Sequence, residues 1–561
     1  MKPTAAATLR ALLCLALGAP FAVAQDAKAP APKLVVVVVI DGLGEHQLDQ
    51  FRGRFRSGLK QLLDQGAWFT QAEYGHSTTV TAVGHATIVS GAYPYRHGQV
   101  ANEWYDPRTE KEVYCCEDPT QRIVGEVPKD KHPGTSPRNL FVTTISDELR
   151  LATGFKSRAF GVSMKDRGAI LTAGRGGTAY FFSGETGRFV TSSYYLKDGR
   201  YPEWWTRFHE GAPANAWFQK DWQPDLAPPA SLNPAEQPKA DGAVGFGTRF
   251  PHHLDGTGRK PDATYYKSLS TTPYSHTLLT SFCRALLEGE NLGKNPAGCP
   301  DYLSVSFSAH DYINHRFGPE SPESEDDLLK FDGIFADFLG VLDRHVGLAN
   351  VLLVLSSDHG FSVAPATWAD KVRLEADRIY GDELLAKVNR RLRNKFGFEK
   401  MALAFMPPTL WLDYELIDLR RIPRKDVEEE CVDVLMSLPG IHSAYTRTQL
   451  ERGDVPRTKL GTMVSRSWNP RVSGDVLVVQ KDGWMFAAKR DDTANPTSAT
   501  HGSPWVYDTR VPVVFLGDAW VKHGRYAQPA EPTDIAPTLA EILRISPPSG
   551  SEGRVLTDIL K

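Results

Sequence analysis

The stretch KLVVVVVID, residues 33–41, decides the fold class of this chain. Leu34 to Ile40 are apolar without interruption, so the segment has no polar face to turn toward water. Such a run forms a strand buried on both sides, the habit of a parallel sheet covered by helices. Runs of the same kind recur at 302–307, 351–355 and 511–516. Between them, helical periodicity covers 59–65, 79–90, 141–152, 277–288, 326–346 and 534–545. The alternation predicts an α/β protein with a doubly wound, mostly parallel central sheet flanked by helices.

Working outward, two stretches depart from that pattern. Residues 178–262 are rich in Trp, Pro, Gly and Tyr, and residues 369–490 hold two charged helices and the strand-like GDVLVVQ. Both are expected to be insertions that form a cap over one catalytic domain spanning 33–561, because long insertions at strand ends shape substrate access. The chain has 561 residues, 41% hydrophobic and 23% charged, with a net charge of −3. That balance suits a globular enzyme and gives no hint of a nucleic-acid partner.

The first residues concern the compartment. Lys2 and Arg10 bound a short basic region, residues 11–19 are apolar, and Ala22-Val23-Ala24 makes an A-x-A cleavage site. This predicts a signal peptide over 1–24, a flexible leader over 25–32, and export to a periplasm or beyond. The apolar stretch is shorter than the roughly 20 residues a spanning helix needs, so no membrane span is expected after cleavage. Cys14 follows Leu13, where a lipoprotein signal would need a small residue. Of Cys115, Cys116, Cys283, Cys299 and Cys431, the pair Cys283–Cys299 is the expected disulfide of an exported chain. Adjacent Cys115 and Cys116 could pair only under strain, and the odd count leaves at least one thiol free.

The ends of the apolar runs carry the chemistry. Asp41 closes the first, Asp311 and His315 follow the second at a spacing that shares one helix face, and Asp358-His359 follow the third. His501 lies in the loop-like SATHGSP. Any one of these has an ordinary explanation, and Asp41-Gly42 alone would serve as a helix cap. Together, three Asp and three His make two sets of borderline ligands, as a pair of zinc ions requires. Ligands of open α/β sheets gather beyond the carboxyl ends of strands. A metal pair there points to in-line displacement at phosphorus.

A nucleophile is expected in HSTTVTAVGHATIVSG, residues 76–91, where a hydroxyl at a helix N-terminus and the anion it attacks are both favoured. Ser77, Thr78, Thr79 and Thr81 are all candidates. In GVSMKDRGAIL, residues 161–171, an extended backbone would project Lys165 and Arg167 to one face, two cations to match a phosphate dianion. Asn102, in ANEW, could donate to a phosphoryl oxygen.

The segments VVVIDGL, TTVTAVGHATIVSGAYPYRHG, ANEW, GVSMKDRGAIL, SFSAHDYINHRFGP, SSDHG and THGSP resemble the alkaline phosphatase superfamily, and within it the zinc-dependent PafA-type phosphate monoesterases. The resemblance spans nearly the whole mature chain and is weakest in the two insertions. It implies Thr79 as nucleophile, passing through a phosphothreonine. It implies one zinc held by Asp311, His315 and His501, and a second held by Asp41, Asp358 and His359 with Thr79. Asn102, Lys165 and Arg167 would grip the non-bridging oxygens of a small phosphate monoester. A nucleotide pyrophosphatase-type diesterase would share the metals, the Thr and the Asn, but a monoester carries one more negative charge, and Lys165 with Arg167 favour it. A sulfatase would need C-x-P-x-R, which the chain lacks. A non-catalytic zinc- or phosphate-binding protein would not need an intact nucleophile.

Overall fold

The computed structural model describes residues 30–126, 134–225, 246–490 and 498–561. The expected signal peptide, Cys14 and most of the expected leader lie outside these residues. The central sheet is built from β1 (Leu34–Ile40), β2 (Ala67–Phe69), β3 (Ala159–Ser163), β4 (Thr178–Ser183), β5 (Arg188–Val190), β6 (Asp301–Phe307) and β7 (Val351–Ser356). A second sheet follows, from β8 (Ala402–Met406), β9 (Thr409–Leu412), β10 (Ile441–Thr446) and β11 (Val476–Gln480), before β12 (Val513–Leu516) and β13 (Gly524–Tyr526) return to the first.

The nine strands of the central sheet lie in the order β13-β2-β12-β7-β1-β6-β3-β4-β5. The block β7-β1-β6-β3-β4 is parallel throughout. Strand β12, expected from its apolar run to join that block, pairs antiparallel with β7. Its residues are still buried, and burial is all that an apolar run can report.

Strand β1 sits in the middle with neighbours on both sides, and its two faces feed two cores. Val36 and Val38 join a cluster with Phe331, Phe335 and Leu342 of helix Pro322–Val346. Val35, Val37 and Val39 join another with Ile88 and Val89 of helix Thr81–Ser90 and Leu539 of helix Ile535–Leu543. Each such side chain contributes about 1.5–3 kcal/mol relative to exposure. Polar substitution anywhere along this strand therefore strikes one core or the other.

Strand β3 was not legible as part of the sheet, because its sequence AFGVS is short and broken by Gly161. The glycine has a packing reason. A Cβ there would lie 2.3 Å from the carbonyl oxygen of Ala169, in the helix that follows the strand. At 178, where the first insertion was expected to begin, the chain instead makes β4 and β5 of the central sheet. The region 369–490 contains the second sheet, order β8-β9-β11-β10, with its own core of Leu384, Val388, Leu410, Val427, Cys431 and Val478. The expected disulfide is absent: all five described cysteines are free, and Cys283 is packed into the main core.

Candidate active site

Four adjacent parallel strands, β7, β1, β6 and β3, end level with one another. Val39 is opposite Ser356, Ile40 opposite Phe307, and Ser306 opposite Ser163. The residues just past those ends therefore meet: Asp358 and His359, Asp41, Asp311 and Lys165. Helix α1 (Thr81–Ser90) points its N-terminus at the same place. All ten of its residues are buried, which explains its small side chains. At Gly84 a Cβ would lie 2.0 Å from the Asp358 carbonyl oxygen, so glycine lets α1 rest directly on the bend that carries two of the site residues.

The ligand atoms of Asp41, Asp358 and His359 lie within 4.8 Å of one another, as do those of Asp311, His359 and His501. His359 thus belongs to both groups. His315 approaches the second group from its edge, with Nε2 3.4 Å from Asp311 Oδ1. Around that same oxygen lie His501 Nε2 at 3.5 Å and His359 Nε2 at 3.9 Å.

Each imidazole is held by its other nitrogen. Nδ1 pairs with a backbone carbonyl in all three: Gly360 O at 2.9 Å for His359, Ala499 O at 3.0 Å for His315, and Thr79 O at 2.8 Å for His501. A carbonyl can only accept, so the proton sits on Nδ1 and the Nε2 lone pair faces the carboxylates. Burial also keeps the pKa of all three below the ordinary histidine value, which favours the neutral, ligating form.

The carboxylates are crowded. Burial and the neighbouring Asp358 push the Asp41 carboxyl up, against the pull of Lys165. Burial opposes ionisation of Asp358 too, but His359 and His85 hold it well below the usual range. Asp41 Oδ1, Asp311 Oδ1 and His359 Nε2 are buried without a hydrogen-bond partner. Buried charge left unpaired is costly, and an imidazole whose second nitrogen is held by a backbone carbonyl has the usual form of a metal-ligating histidine. The donor set fits divalent cations. Asp41 is no helix cap either, since the helix that follows it, Glu45–Phe51, starts from Gly44.

Lys165 is buried with its Nζ 2.7 Å from Asp41 Oδ2 and 2.5 Å from Asp311 Oδ2, above the ring of Tyr312 at 4.9 Å. Burial works against its charge, yet those two carboxylates hold its pKa above the usual value. The backbone differs from the expected extension: Lys165 is the N-cap of α2 (Asp166–Ala173), and Arg167 lies in its first turn. An acidic first residue and the run GAILTA favour helix there, so the cations are presented by a helix terminus instead of a strand face.

Of the four candidate hydroxyls, Ser77 donates to Ser467 Oγ at 2.9 Å, outside the ligand cluster. Thr79 Oγ1 donates to Ser503 O at 2.8 Å, so both the side chain and the carbonyl of Thr79 are tied to the 501–503 segment. Asn102 Oδ1 accepts from Ala82 N–H at 2.9 Å, at the N-terminus of α1. One contributor escaped the sequence reading. His85, inside α1, sets Nε2 2.8 Å from Ser306 Oγ and Nδ1 3.2 Å from Asp358 Oδ2. Only the fold brings it there, although a histidine in an otherwise small, apolar helix was a visible anomaly.

Comparison with known proteins gives the family. The type I phosphodiesterase / nucleotide pyrophosphatase family matches residues 35–504. Alkaline phosphatase PafA of Elizabethkingia meningoseptica is 32% identical over 538 residues, 95% of each chain. A protein named calcium-transporting ATPase from Myroides odoratus is 32% identical over 548 residues, covering 96% of this chain and 97% of its own. Alkaline phosphatase PhoV of Synechococcus elongatus is 32% identical over 544 residues, covering 94% and 93%. The crystal structure of PafA superposes with a TM-score of 0.85 at 31% identity, over 95% of this chain and 99% of that one. The chain belongs to the type I phosphodiesterase / nucleotide pyrophosphatase family of the alkaline phosphatase superfamily.

Proposed function

We propose that this protein is an exported alkaline phosphatase that hydrolyses small phosphate monoesters at a site for two zinc ions, with Thr79 as nucleophile. The observation that carries this reading is the placement of Thr79. Its hydroxyl and carbonyl are fastened to the segment bearing His501, whose imidazole is grouped with Asp311 and His359, and His359 in turn with Asp41 and Asp358. The likeness to alkaline phosphatases over nearly the full length supports it.

Asp41, Asp358 and His359 would hold one ion, and Asp311, His315 and His501 the other, with His359 close to both. Bound zinc would acidify the Thr79 hydroxyl and neutralise charge on the leaving oxygen. The Thr79 Oγ1–phosphorus bond forms as the ester P–O bond breaks, giving phosphothreonine and a free alcohol. Water then cleaves the phosphothreonine, releasing inorganic phosphate and restoring the hydroxyl. Lys165 exchanges its carboxylate partners for phosphoryl oxygens, Arg167 takes others through its fork of donors, and Asn102 completes the cradle. Little acid–base chemistry is asked of the protein, because a loose phosphoryl transition state needs mainly positioning and charge.

The family name favours diester hydrolysis as a second reading, and the two cations at the start of α2, one of them on Asp41 and Asp311, weigh toward monoesters. For export, the support is the A-x-A signal pattern; among the described residues no helix is long and apolar enough to cross a membrane. The region 369–490 is read as part of the cap: its Ser467 bonds the Ser77 loop, and Gln480 O accepts from Trp505 Nε1 at 3.1 Å.

The test is hydrolysis of p-nitrophenyl phosphate. Turnover should be abolished by chelator, restored by zinc, and reduced about 10⁴-fold or more in Thr79→Ala. Near-normal turnover by that variant would reject the nucleophile. Zinc retention without turnover in the unmodified protein would leave a binding protein instead.

A further inference from the structure

The face of helix α4 (Ala309–Phe317) that bears Asp311 and His315 has a neighbour about 100° round the helix. That adjoining face carries His310 and Asn314, each one residue ahead of a ligand candidate. Both are fully buried, and both enter one polar network with α5 (Pro322–Val346) and the turn after Asp41. His310 Nδ1 lies 2.9 Å from Asp327 Oδ2, and its Nε2 lies 3.3 Å from Gln47 Oε1. His276 Nε2, on α3 (Tyr274–Gly289), stands 3.2 Å from the other Asp327 oxygen.

Gln47 donates onward from Nε2 to Ser324 Oγ and to Pro319 O, both at 3.0 Å. Ser324 Oγ donates to Asn314 Oδ1 at 2.7 Å, and Asn314 Nδ2 donates to Gly42 O at 3.3 Å. Gln47, Asn314, Ser324 and Asp327 are all fully buried. Buried polar groups are kept where they find partners, and a connected network of directional bonds favours one arrangement of the elements that carry it. Three of its stations, His310, Asn314 and Gly42, flank Asp311, His315 and Asp41 in sequence. Hydrogen bonds are directional where apolar burial is not, so this network adds to the packing of Ala309, Ile313 and Phe317 in orienting α4.

We propose that His310, Asn314 and Asp327 are positioning residues that lock the rotation of α4 against α5 and the Gly42 turn, and so set how tightly the site holds zinc. This rests on the functional reading above, in which Asp41, Asp311 and His315 are ligands. None of the three residues touches substrate. Their effect should appear first in metal retention, where support of this kind is worth about 10- to 100-fold in affinity.

The experiment is a zinc titration of the mature protein against a competing fluorescent chelator, with thermal unfolding of the metal-free form alongside. Asn314→Leu and the near-isosteric Asp327→Asn are compared with Val37→Ala, a core change in β1 outside the network. The expected result is a zinc dissociation constant raised about 10- to 100-fold in the first two and unchanged in Val37→Ala, although all three lower the unfolding temperature. Asp327→Asn retains the shape of the site and carries the measurement if Asn314→Leu does not fold. Wild-type zinc affinity in both network variants, or an equal loss in Val37→Ala, would overturn the positioning role and leave the functional reading intact. A wild-type protein that holds no zinc would overturn both.

Discussion

Lys165 brings one positive charge into a pocket of three carboxylates, and that imbalance gives the site its character. The ammonium bridges Asp41 and Asp311, while Asp358 leans on His85 and His359. If Lys165 and Arg167 read the second charge of a monoester, their joint replacement by alanine should act selectively. We expect kcat/KM for p-nitrophenyl phosphate to fall about 100- to 1,000-fold, and for the bis-ester far less. Equal losses on both substrates would remove that role. Glu45 offers a separate prediction at this scale. Burial, then the nearby Asp49, raise its pKa from 4.5 to about 8, with Arg510 pulling the other way. The folded chain thus keeps the proton more firmly than the unfolded chain does. The stability this provides is full below about pH 4.5 and is lost as the pH rises through about 8. Glu45→Gln should flatten that decline in a series of urea unfolding curves; an unchanged slope between those limits would refute the assignment.

Among the elements, α1 has the least room. It is buried all round, rests on the Asp358 bend and presents its N-terminus to the site, so its sequence must stay small where it touches backbone. Gly84→Ala would force a Cβ against the Asp358 carbonyl, which is main chain and cannot swing aside. The expected cost is about 1–3 kcal/mol in urea-induced unfolding, with a drop in kcat because Thr79 and the Asp358–His359 bend move apart. Normal stability and turnover in that variant would mean the contact is looser than described. The periodicity of α1 located it to within two residues, while that of the long α5 found its end at Val346 but began at 326, four residues after its start at Pro322. Strand β3 was not, because Gly161 serves a helix contact that sequence patterning cannot register. The segment 165–167 misled for a related reason: alternation of charge looks like a strand, while the first turn of α2 spaces its side chains otherwise.

For the whole molecule, the sheet joins parts of the chain hundreds of residues apart at one point, and metal should hold that point together. The proposed ligands after β1, on α4, at the β7 bend and in the 501 loop gather three carboxylates around the single Lys165 ammonium, and bound cations would offset the remaining charge. Chelation should therefore lower the unfolding free energy by about 4 kcal/mol relative to protein in zinc at a thousandfold excess over its dissociation constant. Scanning calorimetry with and without chelator measures this. An unfolding temperature indifferent to zinc would argue that the ligands are held apart by the fold alone.

What the sequence by itself determined was the class of fold and the inventory of the site. Unbroken apolar runs must be buried on both faces, and Asp and His at their ends must answer to something charged; both follow from local chemistry. The tertiary structure decided what depends on distance. It placed Thr79 on the His501 segment, turned Lys165 onto two carboxylates, brought His85 against Asp358 and kept Cys283 from Cys299. Those outcomes depend on how strands align and how closely helices approach, and strand register and helix contact are set by packing between segments that no local pattern encodes.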